Sequence, residues 1–60
     1  MIIEVTFYTK KQLKAYLLEK QLDFNSPEEF HKWLFEFFEN GNTITILGEE
    51  IDYQYCIEMI

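Results

Sequence analysis

The chain has no arginine, one cysteine, one histidine, one proline and two glycines in 60 residues. Each scarcity excludes something. Cys56 has no second cysteine to pair with, so no disulfide can staple the fold. One cysteine and one histidine fall short of the four ligands of a structural zinc site. Two glycines leave no scope for a phosphate-cradling loop, and there is no serine-centred elbow and no histidine pair. Neither an enzyme activity nor a cofactor nor a metal is expected from such a set. No apolar run approaches the ~20 residues of a membrane span. The opening MIIEVTF lacks the basic start and long apolar stretch of a signal peptide, and a lone cysteine suits a reducing compartment. The expectation is a cytoplasmic protein with no membrane contact.

What is present is aromatic and acidic. Hydrophobic residues make up 48 %, including six Phe, four Tyr and one Trp, well above the content of a disordered chain. A chain this short buries only about 60 % of the surface that its unfolded form exposes. Its stability must therefore come from dense aromatic packing or from self-association. The net charge is −6, unevenly spread. Residues 1–22 hold Lys10, Lys11, Lys14 and Lys20 against Glu4 and Glu19, a balance of +2. Residues 23–60 hold nine acids against Lys32, a balance of −8. Binding a phosphate backbone needs clustered positive charge, so direct nucleic-acid binding is disfavoured. Lys10, Lys11 and Lys14 form the only basic patch.

Periodicity supplies the elements. Ile3, Val5 and Phe7 alternate with Glu4, Thr6 and Tyr8, the pattern of a half-buried strand over residues 2–8. Thr9 and Gln12 form a capping box that opens a helix from Lys10 to Lys20. That helix carries one apolar stripe of Leu13, Tyr16 and Leu17. A second stripe, Ala15, Leu18 and Leu22, lies on nearly the opposite side and is expected to pack on the next helix or on a second copy of the chain. Ser26, Pro27 and Glu29 mark the start of a second helix, which Gly41 ends near Asn40. Residues 43–47 and 50–59 read as a hairpin around Gly48, with Ile51, Tyr53, Tyr55 and Ile57 inward and Asp52, Gln54, Cys56 and Glu58 outward. The expected fold is α+β: a single small domain, β-α-α-β-β, with two helices on one face of a three-stranded sheet. The longest and most apolar strand, the third, belongs in the middle, which makes the order 1-3-2; the alternative 1-2-3 would be fully antiparallel.

The stretch FHKWLFEFF places five rings in nine residues. On a helical wheel Phe30, Trp33, Leu34, Phe37 and Phe38 span a sector of about 140°, a core stripe. Phe35 lies about 60° beyond it, with His31 one turn earlier on the same flank. Either Phe35 closes a gap between the helices, or it is an exposed anchor for another protein. Glu36 and Glu39 line the outer side of the same helix. Glu49, Glu50 and Asp52 follow the hairpin turn but lack the alternating ligand loop of a calcium site.

His31, Phe35, Glu36, Glu39, Glu49, Glu50 and Asp52 are thus the candidate protein-binding residues. Their acidic character fits a basic groove on a partner, such as one that normally holds nucleic acid. Lysine without arginine, with many Ile, Phe, Tyr, Asn and Glu, is the composition of an AT-rich coding sequence. Short acidic chains of this kind are frequent among phage and mobile-element accessory proteins, an analogy rather than a derivation. The expected function is a small acidic regulator or inhibitor that occupies a surface on a larger protein. The alternative is a self-assembling module, a homodimer with no separate ligand.

Overall fold

A computed structural model describes residues 1–60. The chain runs β1 (Glu4–Phe7), α1 (Lys10–Gln21), α2 (Pro27–Glu39), β2 (Thr43–Ile46), β3 (Glu49–Ile51) and α3 (Tyr53–Met59). This is an α+β fold with three helices and a three-stranded mixed sheet.

Both long helices start where the caps predict. The Thr9 hydroxyl accepts from the Gln12 amide at 3.1 Å, and Ser26 does the same for Glu29 at 3.3 Å. The returning side chains reach one residue further back than a standard capping box. Gln12 accepts from Tyr8 N–H at 2.9 Å and Glu29 from Asn25 N–H at 3.3 Å. At its far end α2 closes in a Schellman motif: Gly41, at φ +90°, donates to Phe38 C=O, and Asn42 donates to Phe37 C=O. Only a residue at ease in the left-handed region stops a helix this way.

The sheet departs from the expected order. Strand order is β1-β2-β3, not 1-3-2. It is not fully antiparallel either: β1 and β2 are parallel, and only β2 and β3 run antiparallel. The 1-3-2 order rests on a long, apolar third strand, and an antiparallel pair of α1 and α2 would start β2 at the far end of β1. Instead α2 ends beside the beginning of β1. Thr43 N–H donates to Ile3 C=O, so β2 begins where β1 begins. The two helices together make a single crossover between parallel strands.

The long third strand is also corrected. Pairing stops at Ile51, and residues 53–59 are helix α3, so three helices rather than two pack on the sheet. Asp52 breaks the strand: its carboxylate accepts from Tyr55 N–H at 2.8 Å and caps the helix. Cys56 therefore does not face out from a sheet. It is fully buried on the inner side of α3, while Gln54 and Glu58 pair across one turn at 3.1 Å on its outer side.

One core holds these elements. Leu13 and Leu17 of α1, Phe30 and Leu34 of α2, Ile44 of β2 and Cys56 of α3 are sealed from solvent, with Val5, Phe7, Ile46 and Ile51 packed around them. The deepest point of the aromatic stripe is Phe30 and Leu34. Trp33 and Phe37 are only half-buried; the Phe24 ring and the Lys20 ammonium lie against Trp33, and Trp33 lies against Phe37. The opposite sheet face carries Glu4 and Thr6, with Thr43, Thr45 and Glu50 in register beside them.

The β2–β3 turn is a two-residue loop, Leu47 at φ +52° and Gly48 at φ +82°. Two positive φ values are what a type I′ turn requires, and Asn-Gly is its favoured sequence. Leucine in the left-handed region carries a steric penalty of roughly 1–2 kcal/mol. Its side chain is 76 % exposed and gives little packing in return. Leu47→Asn should therefore stabilise the fold by about 1 kcal/mol, raising the melting temperature by roughly 4–8 °C in a domain of this size. A thermal melt with an unchanged or lower midpoint would show that the turn carries no such strain.

Candidate functional site

Phe35 leaves the core stripe, as the wheel places it, and remains 50 % exposed. It does not close a gap between α1 and α2. Its ring meets Tyr53 of α3 edge to face, with centroids 5.5 Å apart and planes at 89°. This pair forms one wall of an open groove of about 470 Å³, to which Phe38 and Ile51 add apolar surface. Around the rings stand Glu39 from the last turn of α2, Glu50 from β3 and Asp52 from the cap of α3. The groove lining includes three carboxylates and no lysine.

Four of the seven predicted residues, Phe35, Glu39, Glu50 and Asp52, thus come together, although they lie on three separate elements. The other three do not join them. His31 is half-buried against the Phe30 ring, centroids 6.0 Å apart. Glu36 is exposed on α2 outside the groove. Glu49 lines a neighbouring depression with Lys10, Leu47 and Tyr55, which shares Glu50, Ile51 and Asp52 with the groove. Tyr53 is the member that sequence reasoning missed. Read as an inward strand residue, it belongs to the core alone; on α3 it packs on the core and also meets the Phe35 ring.

The carboxylates are unequally free. Asp52 spends one oxygen on the Tyr55 amide. Glu39 and Glu50 take part in no hydrogen bond or ion pair: the single ion pair of the fold is Lys20 with Asp23, at 3.8 Å. No group of three His, Cys, Asp or Glu side chains gathers closely enough to hold a metal ion. On the other side of α3, Lys10, Lys11 and Lys14 gather near Tyr55 and Met59, but Glu58 shares that depression. The Lys10 ammonium lies 5.7 Å from the Tyr55 ring centre. The second apolar stripe of α1 meets no helix in the single chain: Ala15, Leu18 and Leu22 are all exposed.

The ionisation of Cys56 is displaced. Burial, with a smaller contribution from the Asp52 carboxylate, pushes its thiol up from 9.0 to about 11. Thiolate is the reactive form, so this cysteine is inert at neutral pH.

Compared with known protein families, curated proteins and solved structures, the chain matches none.

Two outcomes follow. Leu34→Ala should remove about 2–5 kcal/mol, most of the ~5 kcal/mol available to a domain of this kind. Phe35→Ala should cost only about 1–1.5 kcal/mol, chiefly the aromatic pair with Tyr53. Equal losses in side-by-side melts would make Phe35 a core residue. The second concerns pH. The folded Cys56 thiol ionises above the unfolded one, so its contribution to stability is complete below pH 9.0 and declines as pH rises toward 11. Stability of the wild type should fall more steeply over that window than that of Cys56→Ala. Parallel slopes in the two proteins would contradict the displaced ionisation.

Proposed function

We propose that this protein is a small binding regulator that acts by occupying a basic surface on a larger protein, with the Phe35–Tyr53 groove as its contact. A single observation carries the reading: an exposed aromatic ring, Phe35, paired with the half-buried Tyr53, is set among three carboxylates, with no cation inside the groove. An exposed ring with a charged rim is the arrangement of interface hot spots, where the aromatic supplies affinity and the rim supplies orientation and rate. Lysine and arginine side chains satisfy both halves. Their stems pack on the rings, their charges meet the carboxylates, and a cation over a ring face adds roughly 0.5–1 kcal/mol at an exposed site.

A surface rich in such side chains is what a nucleic-acid-acting enzyme presents in its binding cleft. A small acidic protein seated there acts as an inhibitor by exclusion, without chemistry of its own. The sealed thiol of Cys56 and the isolated imidazole of His31 favour binding over catalysis.

Affinity capture from extracts of the native host tests the reading. The partner should be retained by the wild type, released as salt rises past the regime where exposed charges are screened beyond ~8 Å, and lost with Phe35→Ala. Reversal of Glu39 and Glu50 to lysine should slow association more than it speeds dissociation. Retention that ignores salt and both substitutions would overturn the proposal.

A further inference from the structure

The sheet has two edges, and they are treated differently. The β3 edge carries Glu49 and Glu50 and leads into Asp52. Charges of this density on a short edge strand keep other strands away. The β1 edge has no such protection. It carries no lysine and no proline, and Glu4 is its only charge. Apolar surface flanks it instead: Ile2 is 72 % exposed, Ile3 48 % and Tyr8 75 %.

The main chain of that edge is also open. Ile3 C=O accepts from Thr43 at the start of β2 and Phe7 C=O from Leu47 just after it, which turns the main-chain groups of the odd-numbered residues of β1 toward β2. In a parallel ladder the intervening residues direct both N–H and C=O the other way. Glu4 and Thr6 therefore present unpaired backbone groups to solvent.

We infer that the β1 edge pairs antiparallel with β1 of a second copy, with Glu4 opposite Thr6 across the two-fold axis. Three symmetric registers bring the open groups together, and two of them are poor. Glu4 opposite Glu4 sets like charges face to face, which is destabilising. Thr6 opposite Thr6 sets Glu4 against Tyr8, whose N–H already belongs to Gln12 at 2.9 Å. Glu4 opposite Thr6 avoids both. Each such pair exchanges two main-chain hydrogen bonds. The same register places Ile2 across from Tyr8 and Ile3 across from Phe7, so the exposed apolar side chains cover one another. The pairing is self-complementary, which a two-fold contact requires. It also keeps like charges apart: β3 and its acids lie two strands away, about 10 Å from the contact. This inference does not rest on the groove, whose rings and carboxylates belong to α2, β3 and the start of α3.

Sedimentation across a wide concentration range tests it, with the full chain throughout. The wild type should show a reversible monomer–dimer equilibrium. Thr6→Pro removes an N–H that points off the edge, a position where proline is tolerated. It should be folded and monomeric. In a Cys56→Ala background, a mixture of Glu4→Cys and Thr6→Cys chains should oxidise to the mixed dimer, because residues in a hydrogen-bonded pair lie ≈ 5.5 Å apart at Cα, within disulfide reach. Neither chain alone should do so. If Thr6→Pro does not fold, the cysteine mixture decides. A wild type monomeric at every concentration would overturn the inference. So would Thr6→Cys cross-linking with itself, no mixed product, or a dimer that Leu18→Glu dissociates and Thr6→Pro does not, which would move the contact to the open stripe of α1.

Discussion

One side chain sets the direction of the sheet. The Asn42 amide donates to Phe37 C=O at 2.9 Å, and its oxygen accepts from Ile3 N–H at 2.8 Å. Phe37 lies in the last turn of α2 and Ile3 just before β1, so a single residue ties the end of the crossover to the start of the first strand. Gly41 makes this possible, since its left-handed φ turns the chain out of the helix and delivers Asn42 to that place. From there β2 can only run alongside β1 in the same direction. The hairpin then puts β3 on the far side of β2, and the acids that follow the turn land at the edge away from β1. The position of the groove and the exposure of the β1 edge both descend from that clip.

Much of this was legible because the local chemistry is unambiguous. Ser-Pro-Glu-Glu before an apolar run has one reading, and so does Thr9 followed by Gln12. The wheel also separated Phe35 from its neighbours, because a deviation of about 60° from a stripe depends on helix geometry alone. The third strand was misread because two periods coincide there. Ile51, Tyr53, Tyr55 and Ile57 alternate as a strand should, while Tyr53, Cys56, Ile57 and Ile60 recur as a helix should. Over so few residues periodicity cannot choose between them. The decisive residue is Asp52, a helix-capping type three positions before Tyr55, which the strand pattern over residues 50–59 treats as one more outward side chain. Strand direction was not legible at all. It depends on the Asn42 contacts, which link residues 39 positions apart.

The candidate site divides in the same way. Charge clustering named Glu50 and Asp52, which line the groove, but it could not separate Glu50 from Glu49 or Glu39 from Glu36, because only the packing of α2, β3 and α3 distinguishes them. His31 shares a helical flank with Phe35, yet it settles against Phe30 rather than joining the groove. Tyr53 escaped notice for the reason that α3 did.

The segregation of charge along the chain carries over to the two sheet edges, although the α1 lysines meet Glu49, Glu50 and Glu58 beside α3. The +2 half contains β1 and α1, and the −8 half contains α2, β2, β3 and α3. Because β2 lies between them, the two sheet edges inherit opposite characters. One is apolar, with open main-chain groups at Glu4 and Thr6; the other is fenced by Glu49 and Glu50 and opens toward aromatic rings. A small domain that seals only six apolar side chains completely has little internal stability to spare. Pairing at the apolar edge adds buried surface without bringing the acids together. The acidic edge is then free to meet a partner of opposite sign, and a two-fold pair would present that groove twice. Two linked grooves bind a surface with repeated basic sites more tightly than either groove alone, provided the geometry lets both engage. Stability and recognition would then rest on opposite edges of one three-stranded sheet, and a substitution at Thr6 would be felt at the first while leaving the second intact.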